Sequence, residues 1–494
     1  MNSSYASNLQ TLSLVASVFL SIVTPLTEEF EKPPNILFLF ADDQRRDTIH
    51  AHGNALIQTP HLDRLVSQGL SFKNTYCMGS IHGAVCQPSR AMLLSGKTLY
   101  RVTMKLSKEE LLPEVLRKRG YVTFGTGKWH NGAESFARSF DHGQNVFLGG
   151  MSDHTKVPIH QLRADGSLEK VPMKNTFSSE LFADAAVGFI NRYARRQSIQ
   201  PFFAYVAFTS PHDPRQPPGQ YRTMYQPDDI PLPPNFLPQH PFHNGWMTGR
   251  DEALASWPRR KSDIQSQIAE YYGMITHLDA QVGRIVEALT LNKLHENTLI
   301  VYAADHGLAV GSHGLLGKQN LYEHSMGTPF ILAGPGIPAN KSSDALVYLS
   351  DIYPTLCDLT GAAIPSQVEG KSLLPVIHGQ RDSVRQSLFT TYEAGQRAVR
   401  DDRWKLIRYP HLNKTQLFDL HWDPHELNDL SNHPAHGARV ETMMALLSTW
   451  QDKTGDTVSL TTNTPKSAGI EMHGRRRRAD SHQPDWIVEK YFNQ

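Results

Sequence analysis

Four uninterrupted apolar runs, each ending abruptly in polar or ionisable residues, constrain this chain more than any other feature. Asn35-Ile36-Leu37-Phe38-Leu39-Phe40-Ala41 stops at Asp42-Asp43, and Tyr121 to Thr126 runs into Gly127-Lys128. Phe202 to Phe208 runs into Thr209-Ser210-Pro211-His212, and Thr298 to Ala304 runs into Asp305-His306-Gly307. A strand that is apolar at every position is buried on both faces, as in a parallel sheet covered by helices. Helical patterns separate the runs, a short proline-started one from Pro113 to Arg119 and a long one from Ile264 to Leu291. The alternation predicts an α/β fold with a large, mostly parallel sheet flanked by helices. Open sheets of this kind bind ligands beyond the carboxyl ends of their strands. Wet loops account for one charged strand end; four with this selection of residues predict a shared site.

A second feature supplies the chemistry. Cys86-Gln87-Pro88-Ser89-Arg90, continued by Ala91-Met92-Leu93-Leu94-Ser95-Gly96, places a cysteine just before a proline-started helix. Proline loses nothing at the first helical turn, and Gly96 supplies a stop. Free backbone N–H groups and the positive dipole end let an anion sit beside Cys86. Arg90, four residues on, shares the face of Cys86 and adds a planar positive fork. Asp42, Asp43 and Asp305 gather like charge that is costly without a cation, and hard oxygen ligands suit calcium or magnesium.

The Cys86–Gly96 run resembles the signature of the type I sulfatases, in which the cysteine of a Cys-x-Pro-x-Arg core is oxidised to formylglycine. Gly120-Tyr121-Val122-Thr123-Phe124-Gly125-Thr126-Gly127-Lys128-Trp129-His130 is similar to the second signature of that family. Gln87 stands where the family usually has a small residue and Ser95 where threonine is common, while Cys86, Pro88 and Arg90 are intact. The resemblance spans about residues 33–455 and implies an alkaline phosphatase/sulfatase-like fold. It implies a divalent metal, Ca2+ foremost and Mg2+ next, held by Asp42, Asp43, Asp305, His306 and the modified residue 86. The family usually has asparagine, sometimes histidine, where His306 stands. By the same resemblance, Arg90, Lys128 and His130 bind sulfate oxygens and orient the formylglycine hydrate. His212 and Lys318, the latter in Gly317-Lys318-Gln319-Asn320-Leu321-Tyr322-Glu323, match the groups that contact sulfate and the leaving oxygen. A formylglycine-generating enzyme is then a maturation partner. Sulfate-ester cleavage has a large barrier, so positive charge must gather where negative charge builds, and a proton must reach the departing oxygen.

Length and composition set the remaining bounds. A chain of 494 residues suggests one large unit plus a smaller one. From about Val384 the pattern changes to short strand-like runs, Ser387 to Tyr392, Arg397 to Tyr409 and Gln416 to Leu420, followed by a helical pattern from Ala438 to Trp450. This reads as a smaller C-terminal antiparallel sheet with one packing helix. The expected organisation is a leader over 1–27, a catalytic domain over 33–380, an α+β subdomain over 384–455 and a polar basic tail over 456–494. The run Arg475-Arg476-Arg477-Arg478 in that tail reads as solvated or partner-docking. With 49 basic against 48 acidic residues, bulk binding of nucleic acid is excluded. Three cysteines, Cys77, Cys86 and Cys357, cannot form a disulfide framework. Leu12 to Val23 has the length of an export signal and is too short to span a bilayer, so a periplasmic, secreted or lysosome-like location is expected, with no integral membrane segment.

The expected function is hydrolysis of a sulfate monoester, with the substrate a sulfated carbohydrate or a small alkyl or aryl sulfate. Two alternatives stay open: a formylglycine-dependent phosphonate monoester or phosphodiester hydrolase, and an inactive sulfoglycan-binding protein. Specificity is expected from Asp153 to Arg163, Arg215 to Arg222 and His240 to Asp251. Within them, Trp246 can stack on a ring or serve as core, and Arg163 or Arg250 can grip a carboxylate.

Overall fold

The computed structural model describes residues 1, 33–472, 475 and 477–492, so the expected leader lies outside the described residues. Residues 34–494 fall into one compact unit. At its centre the Asn35–Ala41 strand pairs in parallel with Phe202–Ala207 on one side and Thr298–Ala304 on the other. Val122–Lys128 and then His142–Phe147 extend the parallel order beyond Phe202–Ala207. On the far side Phe330–Ala333 runs antiparallel to Thr298–Ala304, and Gly69–Tyr76 and Lys341–Tyr348 complete that flank. The result is the expected large α/β sheet, with its parallel strands in the middle.

Alternation along the central strand explains why it is apolar from Ile36 to Ala41. Ile36, Phe38 and Phe40 belong to one core and Leu37, Leu39 and Ala41 to the other. The second core packs the sheet against helices Ser178–Arg195 and Lys261–Leu291 through Phe182, Phe189, Leu278 and Ile285. The first takes in the Cys86–Ser95 and Leu112–Lys118 helices and the C-terminal sheet. The long helix begins three residues before the sequence pattern does, and the strand predicted to end at Thr126 continues through Lys128. The cysteine is itself the first residue of its helix, with Pro88 two positions inside, and Gly96 caps the far end at φ 67°.

The smaller sheet runs Lys414–Asp419, Trp404–Tyr409, Gln396–Arg400, Leu388–Tyr392, with the Gly437–Thr454 helix packed on it. Its fifth strand is not C-terminal at all. Gly79–Ser80, six residues ahead of the nucleophile helix, pairs in parallel with Thr391–Tyr392. The backbones approach so closely there that a Cβ on Gly79 would lie 1.9 Å from the Thr391 carbonyl oxygen, and Gly79 has φ 96°. Only glycine meets both requirements. The polar segment after Gly455 also packs on the body: Met472 is buried, and the Asp485–Tyr491 helix pairs Lys490 and Tyr491 with Glu270. In the arginine run, Arg477 reaches Asp263 at 3.4 Å and Arg475 donates to the Glu471 carbonyl.

Substituting Gly79→Ala is expected to cost about 1–3 kcal/mol from the positive φ alone, with the carbonyl clash in addition. Chemical denaturation of the full chain measures it; an unchanged midpoint would show that this strand pairing is dispensable.

Candidate active site

All ten residues singled out in the sequence converge at the carboxyl ends of the central strands. Asp42 and Asp43 follow one strand, Lys128 closes another, His212 lies five residues past a third, and Asp305 and His306 follow a fourth. Cys86 arrives from the helix on the first-core face and Lys318 from a loop. Two backbone features aim the side chains. Gly127, at φ 87°, precedes Lys128 where a Cβ would meet the Ala207 carbonyl at 1.8 Å, and it faces a bulge in the neighbouring His142–Phe147 strand, where Asn145 adopts φ 54°. Asp43 and His130 adopt φ 65° and 68°, conformations that non-glycine residues hold only when the surroundings impose them.

Charge pairing organises the floor. Lys128 Nζ donates to Asp42 Oδ2 at 2.5 Å, and Lys318 Nζ donates to both oxygens of Asp43 at 2.9 Å. Arg90 lies 3.1 Å from Asp305 Oδ2 and 3.5 Å from Asp42 Oδ1, donates to the Lys128 carbonyl, and stacks 4.9 Å from the Phe40 ring centroid. These groups are at most 3% exposed. Asp305 Oδ1 accepts the backbone N–H groups of Asp43 and His306. Burial would raise the Asp43 pKa, but His212, Lys318 and His306 outweigh it and hold the carboxyl to about 2. Asp42 moves the other way, because burial and the neighbouring Asp305 exceed the pull of Lys128 and Arg90.

Around the sulfur, His306 Nε2 lies 3.3 Å from Cys86 Sγ and 3.2 Å from Asp43 Oδ1. Its Nδ1 faces the Gly307 carbonyl at 2.9 Å, which fixes the proton there and leaves an Nε2 lone pair turned to Cys86 and Asp43. Lys318 Nζ is 3.3 Å from Cys86 Sγ and donates to His212 Nε2 at 2.9 Å. His212 Nδ1 in turn donates to the Asp213 carbonyl. Burial, reinforced for His130 by surrounding cations, pushes His212 down to about 4 and His130 to about 2. Burial also pushes the Cys86 thiol well above its ordinary range.

The donor set fits a hard divalent cation. Asp42, Asp43, Cys86 and His306 place one ligand atom each within 4.8 Å of one another, all buried; the two carboxylates are the hard donors, an oxygen at residue 86 in place of sulfur adds a third, and Asp42 Oδ1 has no hydrogen-bond partner among the described residues. Asp305, also expected in this set, receives Arg90 at Oδ2, while its Oδ1 accepts the two backbone N–H groups and lies 3.7 Å from His306 Nε2.

Several supporting residues carry no sequence signal. Gln87, the atypical residue of the first motif, donates to the His130 carbonyl, and Asn131 donates back to the Gln87 carbonyl, so the two motifs are stitched together. Tyr271 OH donates to the Asp43 carbonyl from the long helix. The expectation that Arg250 grips a substrate carboxylate is not met: Asp213, Asp251 and Asp480 already surround it. Arg163 is likewise paired, with Glu169. Trp246 packs on the core and edge-on to Tyr392, yet its indole Nε1 has no partner among the described residues. Parts of the other two specificity segments, Asp153 with Lys156 and Gln216 with Arg222, line an open cavity of about 1080 Å³ together with tail residues 481–486.

Arg90→Met is expected to lose about 3–5 kcal/mol of stability, because it strands Asp42 and Asp305 as uncompensated buried carboxylates. Urea unfolding measures it; a loss below about 1 kcal/mol, the value of a surface pair, would contradict the pairing described.

Comparison with known proteins agrees with this geometry. The sulfatase family profile matches residues 34–362, and the profile of the N-sulphoglucosamine sulphohydrolase C-terminal region matches residues 311–453. The chain is 27% identical to an arylsulfatase of Clostridium perfringens over 84% of its own length and 93% of that protein. A solved structure holding its substrate D-glucosamine-2-N,6-O-disulfate superposes with TM-score 0.72 at 24% identity, covering 86% of this chain and 99% of the other. A phosphonate monoester hydrolase from Silicibacter pomeroyi shares the fold at TM-score 0.68 and 23% identity, covering 90% and 100%. With two thirds of its length matched by the family profile and four strand ends converging on Cys86, the chain belongs to the sulfatase family and is a sulfuric ester hydrolase.

Proposed function

We propose that the protein hydrolyses a sulfate monoester of a sugar, using a formylglycine made from Cys86 together with a divalent cation, Ca2+ foremost. The observation that carries this reading is the Lys318–Cys86–Asp43–His306 cluster, which puts a proton donor and a cation site against one nucleophile position. A thiol raised by burial is neutral at working pH and a weak nucleophile, which favours chemical conversion of residue 86 over direct thiolate attack. Formylglycine supplies a hydrated aldehyde whose second hydroxyl allows sulfate to leave by carbon–oxygen cleavage. Asp42, Asp43, Asp305, His306 and residue 86 would hold the cation, which supplies Lewis acidity, and Asp305 also accepts the Asp43 backbone N–H.

The chain's own residues account for the rest. The Cys86–Ser95 helix directs its free N–H groups at residue 86, favouring an anion there. Both His130 and His212 are neutral imidazoles at neutral pH, so the Lys318 ammonium is the standing proton source. Its hydrogen bond to His212 Nε2 holds the ammonium in place, from which one of its other protons passes directly to the leaving oxygen and leaves a neutral amine. A sugar alkoxide needs that proton far more than an aryl oxide does. The match of residues 311–453 to the N-sulphoglucosamine sulphohydrolase C-terminal region supports a sulfated amino sugar or glycan over choline or simple alkyl sulfates. Direct comparison of a sulfate and a phosphonate ester is expected to show faster turnover of the sulfate.

Two measurements test the proposal. Mass spectrometry of the peptide containing residue 86 from active enzyme is expected to show the aldehyde; an unmodified cysteine rejects the nucleophile. Lys318→Ala is expected to lower kcat by about 10²–10⁴ on a sugar sulfate and much less on an aryl sulfate with a good leaving group. Equal losses on both would remove Lys318 from the proton path.

A further inference from the structure

Three carboxylates converge on Arg250, which stands one step behind the catalytic centre. Its guanidinium grips Asp213 as a fork, Nη1 donating to Oδ1 at 2.8 Å and Nη2 lying 2.5 Å from Oδ2. Nη1 also donates to Asp251 Oδ1 at 3.1 Å, and Nε and Nη2 donate to Asp480 Oδ2 at 2.8 and 2.5 Å. Asp213 and Asp251 are buried, whereas Arg250 and Asp480 are partly exposed.

Each buried carboxylate faces a residue of the centre. His212 Nδ1 donates to the Asp213 carbonyl at 2.8 Å, with Asp213 Oδ1 beside it at 3.3 Å. The ring is thereby fixed with Nε2 as the acceptor for Lys318 Nζ at 2.9 Å. Asp251 Oδ2 accepts Gln319 Nε2 at 2.8 Å, and Gln319 Oε1 accepts the Lys318 backbone N–H at 3.1 Å. One guanidinium therefore sets the spacing between the imidazole that receives the Lys318 ammonium and the amide that holds the Lys318 backbone.

The last segment of the chain closes over this cluster. Gln483 Nε2 donates to Asp213 Oδ2 at 3.1 Å, next to the Arg250 fork. On one flank Arg477 reaches Asp263 at the start of the long helix and donates to the Tyr491 carbonyl. On the other, Ile487 and Tyr491 are buried, and Glu270 accepts Lys490 Nζ and Tyr491 OH. Asp480 and Gln483 are held between these two anchors, as the middle of a strap is.

We propose that Arg250 is a positioning residue for protonation of the leaving oxygen, and that the 477–491 strap locks it in place. The assignment rests on the sulfatase reading above and extends it to residues that touch neither substrate nor residue 86. A proton passes only at hydrogen-bond range, and a displacement of about 1 Å costs on the order of 10²-fold in rate. Arg250 acts on where the Lys318 ammonium stands, through Asp213 and Asp251.

The test compares full-length wild type, R250M and the strap variant D480A/Q483A on a panel of hexosamine sulfates and on 4-nitrophenyl sulfate. On the sugar sulfates R250M is expected to lower kcat by about 10²-fold and the strap variant by about tenfold, with KM unchanged. The losses on the aryl sulfate are expected to be several-fold smaller, because its leaving group needs little proton. A raised KM with kcat intact makes Arg250 a substrate contact, and equal losses on both ester classes make it a structural support; either overturns the proposal. Hydrogen exchange in D480A/Q483A reads the same coupling without turnover, whether or not R250M folds. Peptides holding His212 and Lys318 are expected to exchange faster while the Asn35–Ala41 strand does not change, and unchanged exchange in those peptides rejects the strap. Absence of sulfate release by wild type from every probe overturns the sulfatase reading and the protonation role with it; hydrogen exchange then still decides the strap.

Discussion

Burying three carboxylates at one point is the constraint on which the rest of this structure depends. Each ionised group taken from water costs several kcal/mol unless it is paired and hydrogen-bonded. Asp42, Asp43 and Asp305 meet that demand with Arg90, Lys128 and Lys318, and no two of those cations come from the same element. The parallel sheet makes the arrangement feasible, because its strands all end on one edge and deliver short side chains to a common point. The helix carrying Arg90 must then dock with Phe40 beneath it, and Gly127 must hold its positive φ just ahead of Lys128. Fold and chemistry here satisfy one electrostatic requirement.

That requirement also explains what the sequence discloses. A doubly buried strand has to be apolar throughout, so its end is visible as a sudden charge, and Asp42, Lys128, His212 and Asp305 stand at or near such ends. The two local motifs are legible because helix start, anion cradle and guanidinium lie within five residues. What stays hidden depends on partners distant in the chain. Nothing near Asp305 indicates that its carboxylate turns to Arg90 and backbone N–H groups. Nothing near Arg250 announces Asp213 and Asp480, so an unpaired cation was the natural expectation there. The left-handed backbone of Asp43 and His130 is likewise imposed by tertiary contacts.

Arg250 shows how far the centre reaches. Asp213 receives Arg250 on one side and lies beside His212 Nδ1 on the other, while Asp251 receives Arg250 and accepts from Gln319, next to Lys318. Both proton-handling residues are thus backed by carboxylates that share one guanidinium. Asp480 and Gln483, from the last segment of the chain, complete the cluster by contacting Arg250 and Asp213. The polar tail, opaque in the sequence, supports the wall behind the leaving-group side.

The pairing of Gly79–Ser80 with Thr391–Tyr392 has a consequence for how the protein is made. These partners lie more than 300 residues apart, so the backbone leading into Cys86 is clamped only after residues 388–392 have left the ribosome. The smaller sheet is therefore completed last, and its closure fixes the loop ahead of the first motif long after that motif's own helix has been made.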